Sequence, residues 1–187
     1  MEVLSFMEKF KFTKTKINGL YIIEPTVFND CRGYFMESYN ELNFNNSNLD
    51  LNLNFVQDNE AKSKKGVLRG LHFQNQYAQD KLVRVISGEI FDVAVDLRKD
   101  SPTYLEWFGV ILSGENKKQF YIPKGFAHGY LVLSDEAIFS YKCTDYYHPE
   151  FEDGILYNDP YLNINWPIDN IENIIISDKD KKWPTIN

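Results

Sequence analysis

Short runs in which apolar and polar residues alternate, each stopped by a turn signal, fill most of this chain. Ile90-Phe91-Asp92-Val93-Ala94-Val95-Asp96-Leu97 alternates from Phe91 to Asp96, the pattern of a half-buried strand whose successive side chains point to opposite faces. Residues 20–23 form an apolar run that stops at Pro25, and residues 82–86 one that stops at Ser87-Gly88. Residues 107–112, 119–122, 129–133 and 137–142 continue the pattern. Turn residues recur about every 8 to 12 positions, at Ser87-Gly88, Asp100-Ser101-Pro102, Ser113-Gly114, Pro123-Lys124-Gly125 and Ser134-Asp135. That rhythm predicts an all-β sandwich or barrel, whose interior is wide enough for a ligand. Helix is expected only over residues 40–46 and in the tail, 169–182, and residues 45–54 read as a loop or frayed helix end. The tail also carries Ile174-Ile175-Ile176, an apolar run expected to dock on the body. No repeat or low-complexity linker interrupts the pattern, so residues 1–187 are read as one domain.

Composition strengthens the β reading: 14 Phe, 12 Tyr and 3 Trp favour a pleated surface over a helix. The net charge of −7 disfavours general binding to a nucleic-acid backbone, while a few converging basic residues could still hold an anionic ligand. No apolar run approaches the roughly 18 residues of a membrane-spanning helix. The first six residues lack the pattern of a signal peptide, and Met7 is an alternative start. Cys31 and Cys143 are too few for a disulfide framework and fit no zinc spacing. They read as reduced thiols, which points to the cytoplasm.

The chain has three histidines. His72 lies in Gly66-Val67-Leu68-Arg69-Gly70-Leu71-His72-Phe73-Gln74 and His128 in Pro123-Lys124-Gly125-Phe126-Ala127-His128-Gly129. Each reads equally as a core histidine or as a functional one, whereas His148, beside Pro149, reads as solvated surface. The His128 segment resembles the P-x-G-x-x-H turn of cupin barrels. Metal-binding cupins carry H-x-H in the first motif, but this chain has His72-Phe73-Gln74, which argues against a metal. Arg32, Arg69 and Lys81 are each ordinary surface charges or, together, an anion site for a diphosphate. A regular strand would put Arg69 on the opposite pleat from His72. Tyr141 is a core tyrosine or, near basic groups that lower its pKa, an acid. No nucleophile elbow, P-loop or dinucleotide fingerprint is present.

Several stretches in order resemble one family, the dTDP-4-dehydrorhamnose 3,5-epimerases of the cupin superfamily. They run from Glu24 to Glu37, through Gln57-Asp58-Asn59, Gly66 to Gln74, Lys81 to Asp96 and Ile122 to Leu133, to Tyr141-Lys142-Cys143-Thr144-Asp145-Tyr146-Tyr147 and Ile176-Ser177-Asp178-Lys179-Asp180. The resemblance implies a cupin-type jelly roll with a few short helices, mainly near the C-terminus, and a tail over 165–187. It implies a homodimer with exchanged N-terminal strands, and inversion of carbons 3 and 5 of a dTDP-linked 4-keto-6-deoxy sugar without metal or redox cofactor. By resemblance His72 is the base, Asp180 its orienting carboxylate, Lys81 the cation at the ketone oxygen and Tyr141 the opposing acid. Phe28 and Tyr147 would sandwich the thymine. Arg32, Glu37, Gln57, Asn59, Arg69, His128, Glu152 and Lys179 would contact base, sugar or diphosphate. Two other readings share these residues: a single-carbon epimerase, and a non-catalytic cupin that binds sugar nucleotides.

Overall fold

A computed structural model describes residues 9–47 and 53–186. The choice between Met1 and Met7 as first residue, and the centre of the 45–54 segment, lie outside the described residues. Thirteen strands are present among them: β1 (Phe10–Lys14), β2 (Tyr21–Pro25), β3 (Val27–Asp30), β4 (Gly33–Met36), β5 (Gln57–Lys64), β6 (Leu68–Gln74) and β7 (Lys81–Ser87), followed by β8 (Glu89–Asp96), β9 (Trp107–Ser113), β10 (Gln119–Ile122), β11 (Phe126–Val132), β12 (Glu136–Cys143) and β13 (Glu152–Gly154). They form a six-stranded sheet ordered β1-β2-β10-β7-β12-β5 and a five-stranded sheet ordered β13-β6-β11-β8-β9. A separate ribbon pairs β3 with β4. All strand pairs are antiparallel, and the two larger sheets close on each other as a jelly roll.

Three apolar layers hold the architecture. Val83, Val85, Ile90, Ala94, Phe120 and Phe139 fill the space between the sheets. Leu71, Val93, Val95, Leu131, Leu162 and Trp166 join the outer face of the five-stranded sheet to the chain beyond β13. Phe10, Tyr21, Ile23, Phe44 and Tyr121 cover the outer face of the other sheet. Strand β8 is therefore not half-buried as its alternation suggests: from Asp92 to Asp96 every residue is buried. Its apolar face lies under the C-terminal segment, Asp92 turns into the barrel to meet His128, and Asp96 accepts from Arg98, Ser101 and Thr103 in the turn that follows.

The expected helix at 40–46 is α1 (Glu41–Asn45), capped by Asn40, whose side chain accepts from Asn43 N at 3.2 Å. The tail helix expected over 169–182 does not form. Asn170, Asn173 and three consecutive isoleucines favour extended chain, and the edge of the sheet offers the backbone partners instead. Leu68 N donates to Ile175 O at 2.9 Å and Ile175 N to Gly66 O at 2.8 Å. The isoleucine run thus docks on the body as expected. Helical geometry beyond β12 is confined to 3₁₀ turns at Pro149–Phe151 and Asp180–Lys182.

Candidate active site

Directly opposite residues of an antiparallel pair project to one face, and the register therefore decides what meets inside the barrel. In the five-stranded sheet Gly154, His72, His128 and Ala94 form one row, and Arg69, Tyr130 and Asp92 the next. In the six-stranded sheet the corresponding rows are Gln57, Cys143 and Lys81, then Asn59, Tyr141 and Val83. Ala94, Val83 and Tyr130 belong to the layer between the sheets, so all four rows face inward.

Arg69 departs from the expectation of a regular strand. The pairing slips between His128↔His72 and Tyr130↔Arg69, so three steps along β6 match two along β11. This bulge turns both side chains to the same face. Gly70 absorbs it with φ of +119°, and a Cβ there would lie 2.6 Å from Gly129 Cα. Arg69 then reaches Ser63 Oγ with Nε and Nη2 at 3.2 and 3.1 Å.

His72 stands at the centre of the site. Its Nε2 bonds Asp180 Oδ1 at 2.8 Å, while Asp180 Oδ2 accepts from Gly70 N at 3.2 Å. Asp180 is buried; burial alone would raise its pKa, but the bonds from His72 and Gly70 outweigh that and hold it below the usual carboxylate range. An ionised Asp180 makes Nε2 the protonated nitrogen and leaves the Nδ1 lone pair to act as base. Lys81 is pulled below its ordinary value by burial, with Cys143, Asp92 and Glu152 acting against that pull. Contrary to the expectation that cations would lower it, Tyr141 is pushed up to about 12 by burial, and Arg69 recovers only part. At neutral pH this phenol therefore carries its proton and can donate it.

His72, Lys81, Tyr141, Gln57, Asn59, Tyr147 and Glu152 line one cavity with Phe73, Gln74 and Gln79. Glu152 accepts from both the Tyr147 hydroxyl and Lys179 Nζ, closing one side. His128 lies deeper, in an adjoining hollow shared with Lys81, and its Nε2 bonds the carboxylate of buried Asp92 at 2.9 Å. Burial pushes Asp92 up, and His128 and Lys81 oppose it. Gln74 is consumed by two loops: Nε2 donates to Tyr77 O at 2.6 Å and Oε1 accepts from His148 N at 2.6 Å. His148 is not simply solvated, since it stacks on Tyr77 with ring centroids 4.3 Å apart. Among the described residues no group of three or more His, Cys, Asp or Glu is placed to hold a metal ion.

Seven expected residues do not line this cavity: Asp180 and Lys179 reach it through their bonds to His72 and Glu152, His128 lines the adjoining hollow, exposed Arg69 bonds Ser63, and the remaining three stand apart. Phe28 and Arg32 sit on the β3–β4 ribbon, where Arg32 pairs with Asp30 at 2.5 Å. Glu37 follows the ribbon and bonds Lys9 at 2.6 Å. Conversely, Asp92, Gln79 and Trp183 adjoin the site without having been singled out in the sequence. Only Asp92 left a signal there: an acid within an apolar strand, in phase with the inward row.

A base held by a carboxylate, a protonated phenol and an ammonium around one cavity suit proton abstraction beside a carbonyl, where charge develops on oxygen. Proteins similar in sequence and fold are named for chemistry of this kind. Residues 14–187 match the family model described as dTDP-4-dehydrorhamnose 3,5-epimerase. The Methanothermobacter thermautotrophicus dTDP-4-dehydrorhamnose 3,5-epimerase is 58% identical over 177 residues, covering 95% of each chain. The Escherichia coli enzyme of that name is 52% identical over 175 residues, covering 93% of each. The crystal structure of the Legionella pneumophila dTDP-6-deoxy-D-glucose-3,5-epimerase, in complex with dTDP-4-keto-L-rhamnose, superposes with a TM-score of 0.91 at 54% identity, covering 94% of this chain and 92% of that one.

Proposed function

This chain belongs to the dTDP-4-dehydrorhamnose 3,5-epimerase family and is an epimerase of a dTDP-linked 4-keto sugar; we propose that His72 and Tyr141 move the protons, on opposite faces of the ring. It converts dTDP-4-dehydro-6-deoxy-D-glucose to dTDP-4-dehydro-L-rhamnose by inverting carbons 3 and 5. The observation that supports these roles is the cavity shared by His72, Lys81 and Tyr141. Both carbons flank the ketone. His72 Nδ1 takes the proton, the C–H electron pair moves into an enolate, and the charge on its oxygen lies beside the Lys81 ammonium. Tyr141 returns a proton from the other face and the ketone re-forms. Each inversion leaves His72 with one proton more and Tyr141 with one fewer, so the pair resets through solvent before the next.

Carried out in heavy water, the reaction is expected to place deuterium at both carbon 3 and carbon 5, read by NMR of the sugar. Label at one carbon alone would replace this reading with a single-carbon epimerase. Gln57, Asn59, Arg69, His128, Glu152 and Lys179 are assigned to contacts with base, sugar or diphosphate, and Tyr147 to stacking on the thymine.

We assign Phe28, Arg32 and Glu37 to the site of a second copy, in a homodimer of one-domain subunits working in the cytoplasm. Phe28, Tyr34 and Phe35 are 40%, 53% and 65% exposed on a ribbon that pairs with neither larger sheet. Exposed apolar area of that kind marks an interaction surface. Light scattering is expected to give twice the chain mass, and Phe28→Ala to raise KM with kcat kept. A monomeric mass with full activity would overturn the assignment.

A further inference from the structure

We propose that Trp183 is a positioning residue for the base, its indole standing where Gly154 lacks a side chain and holding His72 against Asp180. The inference rests on the reading of His72 as the base. Gly154 lies directly opposite His72 in the β13–β6 pair, so a side chain at 154 would project to the same face as the imidazole. That place is taken by the indole: a Cβ built on Gly154 would lie 2.5 Å from Trp183 Cε2 and 2.6 Å from Cδ2 and Nε1. From there the indole meets the His72 ring edge-on, with centroids 6.3 Å apart and planes at 69°.

Trp183 directly follows the 3₁₀ turn that carries Asp180, and the chain is pinned on both sides of it. Lys182 N donates to Lys179 O at 3.0 Å, and Leu156 N donates to Pro184 O at 2.9 Å. One short segment therefore delivers the carboxylate and the ring that backs the imidazole. Trp183 Nε1 is buried without a hydrogen-bond partner among the described residues, so packing, not hydrogen bonding, sets the pose of the indole. Such contact restricts the imidazole to orientations in which Nε2 faces Asp180 and Nδ1 faces the cavity, and small misplacements of a base are costly in rate.

Gly154 has no positive φ, so Gly154→Ala displaces the indole without straining the backbone. Gly154→Ala and Trp183→Ala are each expected to lower kcat by about tenfold or more, with dTDP affinity kept. The double variant should be no slower than the slower single one, because both remove the same contact. Trp183→Phe, which keeps an aromatic edge on His72, should recover most of the rate. Melting temperatures taken alongside separate loss of fold from loss of rate, and Gly154→Ala with Trp183→Phe decide the question if Trp183→Ala does not fold. Unchanged kcat in folded Gly154→Ala, multiplicative losses in the double variant, or a change confined to KM would each overturn the inference. Absence of deuterium exchange in the unaltered protein would instead overturn the assignment of His72 itself.

Discussion

Replacing His72 with alanine is expected to lower kcat by about 10²–10⁴-fold, the range contributed by a positioned general base. Two other cavity groups are poorly placed to take the proton instead. Tyr141 is held protonated by burial, and Glu152 already accepts from Tyr147 and Lys179. His128 lies deeper, with Nε2 engaged by Asp92. The fold should persist, because Asp180 keeps the bond from Gly70 N and stays partly satisfied. The decisive comparison is single-turnover rate against dTDP affinity by calorimetry. Loss of rate with retained affinity is the expected pair of results, and it also separates an enzyme from a cupin that only binds sugar nucleotides. Retained turnover would remove His72 from the mechanism.

Lys81→Met is expected to lower kcat by about 10²–10³-fold, the cost of removing one preorganised group at a developing oxyanion. The two side chains are similar in length, so the cavity keeps its shape. Burial already pulls the ammonium below its ordinary value, which means that the folded protein holds this charge against a desolvation cost. The variant should therefore melt no lower than the unaltered protein while turning over far more slowly. A fall in rate matched by a fall in melting temperature would place Lys81 in the fold and remove it from the enolate. Lys81→Arg is expected to recover little of the rate, because a planar guanidinium is bulkier than the ammonium it replaces in the row with Cys143 and Gln57.

Strands whose inward face is apolar were legible in the sequence, and β2, β7, β10 and β12 stand close to where the alternation puts them. Strand β5 was not, although its residues Gln57 and Asn59 were singled out. Gln57-Asp58-Asn59-Glu60-Ala61-Lys62-Ser63-Lys64 has one apolar residue, because one face lines the polar cavity and the other meets water. Hydrophobic periodicity detects apolar burial, and a strand that builds a polar site carries little of it. The same cause acts at β8, where Asp92, in the polar phase of the alternation, faces the interior and not water. The tail failed for a different reason: its isoleucines complete the β6 edge through backbone hydrogen bonds, a tertiary partnership that local pattern does not encode. Within the site, the residues proposed to touch substrate are legible only through the family resemblance. Trp183 was not, since its place is defined only by the missing side chain at Gly154.

The extra residue in β6 also constrains how this enzyme can vary among its descendants. Point changes at Leu68 or Leu71 alter packing by degrees, but a one-residue deletion between Arg69 and His72 would restore a two-for-two register with β11 and swing one of the two side chains out of the barrel. Because Gly70 and Gly129 approach too closely to admit a Cβ, the register cannot be re-phased gradually by substitution either. Selection on this stretch acts on its length as well as its letters, and gaps in a lineage's alignment between these positions would mark chains that have abandoned epimerisation while keeping the barrel.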